Sequence, residues 1–190
     1  MKAFMSKSLT ILVDVDNVLE DLHTPWVAAV NKKYGTDVKP EDITSWNIER
    51  FFDGLSRNQV FSPLHTAELW ESLEPLEGSQ KYLKMLIKDG HKVFLLTSAH
   101  PDTIPLKFKF LQKHFPFIPF RDVIISSHKQ MVIGDVLIDD APHNLKNGCY
   151  QGILVDSPHN KSFDDSAYGF YRAKNWAEIY EIVHNIAERK

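Results

Sequence analysis

Five short apolar runs, separated by longer stretches, constrain the fold of this 190-residue chain more than any other feature. The runs are rich in β-branched and aliphatic residues and show little polar alternation, which is typical of strands covered by helices on both faces of a sheet. They occupy residues 9–15, 92–98, 122–126, 135–140 and 152–156.

Helical spacing of apolar residues fills much of the sequence between and after these runs. Leu83 and Leu86 precede the second run, Phe110 and Leu111 follow it, and Ile179 lies near the end of the chain in a similar pattern. Strands that alternate with helices form parallel sheets, because the helix carries the chain back to the start of the next strand. The pattern therefore predicts an α/β fold with a doubly wound, Rossmann-like parallel sheet.

Residues 20–77 interrupt this alternation. They contain no convincing apolar strand, they hold three of the four tryptophans, and turn-forming pairs such as Asp53-Gly54 punctuate them. We expect a small helical cap, inserted after the first strand and lying above the carboxyl edge of the sheet. The predicted core domain then consists of residues 1–19 and 78–190.

The charge balance favours a small partner. There are 22 Lys and Arg residues against 25 Asp and Glu, a net charge of -3, which gives no basic surface for long nucleic acid or an anionic membrane. No apolar run approaches the ~20 residues of a membrane span. The single cysteine, Cys149, is consistent with a reducing compartment. We expect a cytoplasmic protein, with monomer and homodimer both open.

Polar side chains stand where four of the predicted strands end. In an open parallel sheet, ligands bind outside the carboxyl ends of the strands, so these residues determine what the site can do. They are Asp14 and Asp16 after the first strand, Thr97 and Ser98 after the second, Lys129 after the third, and Asp139 and Asp140 after the fourth.

Four acidic groups around one point require a cation. Oxygen ligands favour Mg²⁺ over Zn²⁺. One aspartate can then attack phosphorus while another donates and accepts protons. The hydroxyl groups and the Lys129 ammonium are suited to stabilise a transferring phosphoryl group, although Lys107 is an alternative to Lys129.

The motifs DVDNV, LLTS and LIDDAPHN, together with Lys129, resemble those of haloacid dehalogenase-like phosphatases in order and spacing. The segments DVDNVLEDL, SWN, LWESLEPLEG and SHKQ are similar to those of the 5'(3')-deoxyribonucleotidases, which are cytosolic type C-like 5'-nucleotidases of pyrimidine nucleotide turnover, and of their bacterial relatives. The resemblance extends over most of the chain.

This resemblance implies a role for each strand-end residue. Asp14 would be the nucleophile that forms an aspartyl-phosphate, and Asp16 the general acid and base. Mg²⁺ would be bound by Asp14, Asp140 and the backbone carbonyl of Asp16. Asp139 would support Lys129 and the waters on the metal. The implied phosphate-binding residues are Thr97, Ser98 and Lys129.

The resemblance also indicates substrate contacts in the cap. Trp46 and Trp70 would stack on the base and ribose, although both could instead pack in the core of the cap. Leu22 stands where the nucleotidases have a phenylalanine that faces the base. Asn17 replaces their usual glycine, and asparagine tolerates the left-handed turn that glycine would form there.

The resulting hypothesis is a Mg²⁺-dependent phosphomonoesterase that acts on (deoxy)nucleoside monophosphates. Leu22 and a cap that is shorter after Trp70 leave a sugar phosphate or another small phosphomonoester open as the substrate. A hypothesis of another class is a non-catalytic phosphate-binding protein. A dehalogenase would have no use for the second aspartate or for the Asp139-Asp140 pair.

Overall fold

The computed structural model describes residues 7–189, and its centre is one six-stranded sheet. Residues 1–6 and 190 of the predicted core domain lie outside the described residues. The strands are Thr10–Val13 (β1), Lys92–Thr97 (β2), Val123–Ile125 (β3), Val136–Asp139 (β4), Gln151–Val155 (β5) and Tyr171–Ala173 (β6). Their order is β3-β2-β1-β4-β5-β6 and every neighbouring pair is parallel, which confirms the predicted α/β class.

Seven α-helices accompany the strands in the described part of the chain. Four precede β2, two of them very short, and the other three alternate with or follow the later strands. They are His23–Tyr34 (α1), Arg57–Phe61 (α2), Ala67–Ser72 (α3), Ser79–Lys88 (α4), Ile104–His114 (α5), Pro142–Leu145 (α6) and Trp176–Arg189 (α7).

Successive strand residues divide between two apolar clusters, as the period of two requires. Ile11 and Val13 belong to a large cluster that includes residues of α4, α5 and α7. Leu12 belongs to a smaller one, whose other members come from neighbouring strands, from α6 and from loop aromatics such as Phe163. The sheet is therefore covered on both faces, but long helices contribute to one cluster and loop side chains help to close the other.

Strand β6 was not among the five predicted runs. Its three residues pair with β5, and only Ala173 is fully buried. Tyr171 and Arg172 are half-buried at the edge of the sheet, where the Arg172 guanidinium lies 2.8 Å from Asp156. An edge strand this short, with an arginine at its centre, carries no apolar run that a sequence pattern could detect.

Residues 20–77, which we call the cap segment, are all described and contribute no strand to the sheet. Isolated bridges join Glu20 to Asp16 and to Pro75, so the segment leaves and re-enters the rest of the chain at nearly the same place. Val27, Ile43 and Phe52 belong to a separate apolar cluster within it. Helix α3 differs, because its buried residues join the large cluster of the sheet.

The order of the strands determines where a site can form. Strand β1 pairs with β2 on one side and with β4 on the other, so the chain reverses direction across the sheet at β1. Such a reversal leaves a crevice at the carboxyl ends of the two strands that flank it. The residues that follow β1, β2 and β4 therefore converge.

Trp176, the first residue of α7, contacts the loop after β1. Its indole Nε1 donates a 2.8 Å hydrogen bond to the backbone carbonyl of Val18, and its side chain is buried. Trp176→Phe removes this donor, and a buried acceptor that loses its partner costs about 1–3 kcal/mol. We expect the free energy of unfolding to fall by about that amount in chemical denaturation. Trp46→Phe, at an exposed tryptophan, should change it by less than about 0.5 kcal/mol; equal losses would contradict the prediction.

Candidate active site

Three aspartates meet at the carboxyl ends of β1 and β4. Asp14 follows β1 directly, and its backbone N–H donates to the carbonyl of Ile138 on β4 at 2.9 Å. Asp139 ends β4 and Asp140 follows it. All three side chains are buried, and each offers one carboxylate oxygen within 4.8 Å of the others. The parallel pairing of β1 with β4 thus brings together acids that are far apart in the sequence.

Lys129 lies between two of these acids. Its Nζ is 2.7 Å from Asp14 Oδ1 and 2.7 Å from Asp139 Oδ2, and the side chain is only 1% exposed. Burial lowers the pKa of Lys129, but the carboxylates of Asp139 and Asp14 outweigh burial and raise the pKa above its usual value. Lys129 is therefore a buried ammonium group that compensates part of the negative charge.

Lys107 of α5 holds a second set of groups. Its Nζ donates to Asp16 Oδ2 and to Thr97 Oγ1, both at 2.7 Å, and to the Ser98 carbonyl at 3.0 Å. The side chain is 3% exposed. The sequence offered Lys107 and Lys129 as alternatives for one role, whereas the structure places both in the site, each with different carboxylates.

Asn17 provides the turn out of β1. Its φ of 57° lies in the left-handed region, which confirms the conformation expected from asparagine in place of glycine. Its Oδ1 accepts a 3.0 Å hydrogen bond from the backbone N–H of His23. The turn thus positions Asp14 and Asp16 on one side and the start of α1 on the other.

The acidic cluster carries more negative charge than its lysines compensate. Burial raises the pKa of Asp14 to about 7, although Lys129 opposes it. Burial also holds the pKa of Asp140 well above its usual range, with Asp139 adding to the effect. Asp140 Oδ2 accepts no hydrogen bond within residues 7–189. Buried oxygens without donors, in a set composed only of carboxylates, are the ligands that a hard divalent cation prefers.

Asp140 is held in place by two residues that the sequence reasoning did not identify. Asn160 Nδ2 donates to the Asp140 carbonyl at 2.7 Å, and His159 Nε2 is 3.1 Å from the same oxygen. Burial lowers the pKa of His159 to about 4, so the imidazole is neutral at pH 7. The only sequence signal is the spacing of Ser157 and Asn160, which form a capping box at the turn after β5.

Glu20 is a third residue that the sequence pattern did not identify. It is fully buried, and neither of its carboxylate oxygens has a hydrogen-bond partner within residues 7–189. Burial, with Asp16 close by, raises the pKa of Glu20 well above its usual value. Its position after Val18 and Leu19 resembles that of any residue at the start of a loop, so the sequence did not distinguish it.

A cavity of about 440 Å³ opens over the carboxylates, between them and the cap segment. This volume is in the range of small-molecule sites. Of the three predicted cap contacts, Leu22 and Trp46 line the cavity, and Trp26, which was not predicted, lines it as well. Further lining residues include Asp14, Asp16, Ser98, Lys129, Asp140, Glu49 and Arg57.

Trp70 lies elsewhere. It is 5% exposed and belongs to the large apolar cluster, its Nε1 donates to the Leu64 carbonyl at 2.8 Å, and its ring lies 5.6 Å from Lys107 Nζ. It is not among the residues that line the cavity. Trp70 therefore packs in the apolar core, which is the second of the two roles expected for the cap tryptophans. Its ring lies against Lys107, outside the cavity lining.

Aromatic contacts join the two sides of the cavity. The ring of Trp46, from the cap segment, meets His143 edge-on at 4.8 Å and His159 at 5.4 Å. Both histidines follow strands of the sheet, β4 and β5 respectively. Trp46 thus contacts, from the cap segment, two residues that follow strands of the sheet.

The whole described chain is similar to one protein family. The family "5' nucleotidase, deoxy (pyrimidine), cytosolic type C protein" matches residues 7–189. The chain is 36% identical over 171 residues to the 5'(3')-deoxyribonucleotidase of Bacillus subtilis (strain 168), a match that covers 89% of this chain and 95% of that protein.

Solved structures agree with the fold. A HAD family hydrolase from Deinococcus radiodurans R1, with bound phosphate and sodium, superposes with a TM-score of 0.68 at 16% identity, over 96% of this chain and 98% of that one. The HAD-hydrolase YfnB from Bacillus subtilis, bound to magnesium, gives 0.59 at 14% identity, over 93% and 99%. Among residues 7–189 no helix has the length and apolar character needed to span a membrane.

Asn160 offers a test of how Asp140 is held. Its Nδ2 donates to the carbonyls of Asp140 and Val155, and its Oδ1 accepts from Arg172 Nη1 at 3.0 Å. Asn160→Ala leaves these buried groups without partners, and each such group costs about 1–3 kcal/mol. We expect chemical denaturation to show a loss of stability on that order or larger. Asn58→Ala, at an exposed asparagine, is the control and should change stability by less than about 0.5 kcal/mol; a similarly small effect of Asn160→Ala would contradict the prediction.

Proposed function

The chain belongs to the family of haloacid dehalogenase-like 5'-nucleotidases of cytosolic type C, and we propose that it is a 5'(3')-deoxyribonucleotidase, which hydrolyses the phosphate ester of deoxynucleoside monophosphates. The observation that carries this proposal is the convergence of Asp14, Asp139 and Asp140, with Lys129 among them, below a cavity of nucleotide size. A non-catalytic phosphate-binding protein would not need this complete set of acids.

Asp14 is the proposed nucleophile. Its carboxylate faces the cavity, and Lys129 lies 2.7 Å from Oδ1. A carboxylate oxygen attacks phosphorus and forms an aspartyl-phosphate while the bond from phosphorus to the ester oxygen breaks. Water then attacks the aspartyl-phosphate and releases inorganic phosphate and free Asp14.

Asp16 is the proposed general acid and base. It protonates the departing ester oxygen in the first step and takes a proton from the attacking water in the second. Lys107 donates to Asp16 Oδ2 at 2.7 Å, which leaves Oδ1 without a hydrogen bond within the described residues. Lys107 thus orients Asp16, whose side chain lines the cavity.

Thr97 and Ser98 are the proposed phosphate ligands, together with Lys129. Ser98 and Lys129 line the cavity, and Ser98 Oγ lies 3.3 Å from Ser127 Oγ. Thr97 is 1% exposed and is not among the lining residues; its Oγ1 accepts from Lys107 and donates to the Ser98 carbonyl. Hydroxyl groups and an ammonium group that are fixed before substrate arrives can stabilise the negative charge of the phosphoryl group without reorganising.

The proposed metal is Mg²⁺, held by the carboxylates of Asp14 and Asp140 and by the backbone carbonyl of Asp16. When bound, such a cation neutralises the phosphoryl oxygens and lowers the pKa of its carboxylate ligands. Asp140 Oδ2 supports this assignment, because it accepts no hydrogen bond among the described residues, although His159 Nε2 lies 3.4 Å away. Asp139 is already engaged by Lys129, by the Ala141 N–H and by the Asn144 amide, so it supports the site from behind.

Leu22, Trp46 and Trp26 are the proposed walls of the nucleoside subsite. Trp46 is half exposed within the cavity, and a flat aromatic face is suited to stack on a base. The position of Trp70 outside the cavity lining supports a packing role for that residue. Glu49 and Arg57, 3.3 Å apart, provide polar groups on the cap side of the cavity.

Substitution of the two catalytic aspartates tests the chemistry. With Mg²⁺ and a panel of deoxynucleoside monophosphates, Asp14→Asn should release no inorganic phosphate, because an amide cannot form the aspartyl-phosphate. Asp16→Asn should lower kcat by about 10²- to 10⁴-fold, the contribution of general acid–base catalysis. Acid-quenched wild-type enzyme should carry phosphate on Asp14.

Two controls accompany this test. Asp53→Asn, at an exposed aspartate of the cap segment, should retain wild-type activity. Chelation of Mg²⁺ should abolish phosphate release by the wild-type protein. Wild-type turnover by Asp14→Asn, or phosphate binding by the wild-type protein without any release, would refute the proposal.

Trp46→Ala tests the nucleoside subsite. Stacking on an aromatic side chain contributes about 1–3 kcal/mol per base, so KM for deoxynucleoside monophosphates should rise by about 5- to 150-fold. Hydrolysis of glycerol 3-phosphate, which has no base, should be unchanged. An equal loss on both substrates would assign Trp46 to the packing of the cap, and a wild-type preference for glycerol 3-phosphate would favour the small-phosphomonoester alternative.

A further inference from the structure

A second group of metal-binding side chains lies away from the acidic cluster. His65 Nδ1 is 4.0 Å and His100 Nδ1 is 3.5 Å from Asp102 Oδ2. The two imidazole rings meet edge-on with their centroids 5.0 Å apart. One donor atom from each of the three residues lies within 4.8 Å of the others. All three side chains are exposed, so packing of the core does not account for their proximity.

The three residues come from the two sides of the active-site cavity. His65 ends the 3₁₀ turn Ser62–His65 of the cap segment, directly after Leu64, which lines the cavity. His100 and Asp102 belong to the turn after β2, a few residues beyond Ser98, which lines the opposite side. The group therefore spans the junction between the cap segment and the core.

We propose that His65, His100 and Asp102 form a second cation site, which binds Zn²⁺ or a similar transition metal and ties the cap segment to the core. Two imidazole nitrogens and one carboxylate oxygen are a donor set typical of Zn²⁺. Ligand bonds of about 2.0–2.2 Å at tetrahedral angles place donor atoms about 3.3–3.5 Å apart. The observed separations from Asp102 Oδ2 are 3.5 and 4.0 Å, and the separation between the two histidine donors is below 4.8 Å. On binding the metal, His100 Nδ1 would give up the 3.4 Å hydrogen bond that it accepts from the Asp102 N–H.

The two candidate sites select different ions. The acidic cluster offers only oxygen atoms, which favours Mg²⁺, whereas nitrogen ligands at the junction favour Zn²⁺. With three protein ligands, the fourth position at the junction is open to water. An ion there would restrain Leu64 relative to Ser98 and so reduce the opening of the cavity. We therefore expect Zn²⁺ to stabilise the protein and to slow turnover.

Calorimetric titration with Zn²⁺, in the presence of saturating Mg²⁺, measures the site directly. Wild-type protein should take up one more equivalent of Zn²⁺ than His65→Ala or His100→Ala. Removing a residue that only hydrogen-bonds to a metal ligand already lowers metal affinity by about 10- to 100-fold. Removing a ligand itself should therefore weaken Zn²⁺ binding at this site by at least about 10-fold. Zn²⁺ should raise the Tm of the wild-type protein and not that of the two variants.

His184→Ala is the matched control. His184 is also an exposed histidine beside an acidic side chain, with Nε2 3.2 Å from Glu188, but it lies within one helix of the core. This variant should bind Zn²⁺ as the wild-type protein does. Because the replaced side chains are exposed, the Tm without Zn²⁺ should be unchanged in every variant. Equal uptake by wild type and His65→Ala, or a loss of binding in His184→Ala alone, would overturn the proposal. The titration does not depend on phosphatase activity, so it remains informative even if the proposed function fails.

Discussion

The buried negative charge at the carboxyl edge of the sheet is the constraint that the surrounding structure satisfies. Asp14, Asp139 and Asp140 lie within 4.8 Å of one another in a buried environment, where like charges repel strongly. Two buried lysines from different elements compensate part of this negative charge, and each pairs with different carboxylates. Lys129 pairs with Asp14 and Asp139, while Lys107 pairs with Asp16 and fixes Thr97. The remaining negative charge is what makes the site suitable for a divalent cation.

This charge can be concentrated because backbone pairing fixes the strand ends. Strand β1 lies between β2 and β4, so the backbones that carry Asp14, Thr97 and Asp139 are locked in register by parallel ladders. Side chains placed by rigid elements keep their geometry better than side chains on loops. The proposed phosphoryl-transfer groups therefore lie at the ends of the strands, whereas the proposed nucleoside subsite lies in the cap segment.

The sequence predicted the parts of the structure that depend on local pattern. Apolar runs predicted five strands and the α/β class, and polar residues at the ends of those runs predicted the acidic cluster. Strand β6 was not predicted, because Arg172 and Tyr171 give it no apolar character. Asn160 and Glu20 were not predicted for another reason. They matter because they are buried beside Asp140 and Asp16, and burial is a property of the tertiary fold. The tryptophans show the same limit, since composition cannot tell that Trp26 lines the cavity and Trp70 does not.

The junction between the cap segment and the core differs in character from the site below it. Around the cavity it consists of edge-on ring contacts, Trp46 with His143 and His159, and His65 with His100, and of exposed charges such as Asp102. Such contacts bury little apolar area and are among the first to open. A phosphatase must admit a nucleotide and release a nucleoside at each turnover, so a weak junction is an advantage there. The sheet preserves the arrangement of Asp14 and Lys129, and the buried residues of α3 keep that part of the cap segment packed against it. A metal ion held by His65 and His100 would act at the place where the two parts separate, and so would control opening without altering the chemistry.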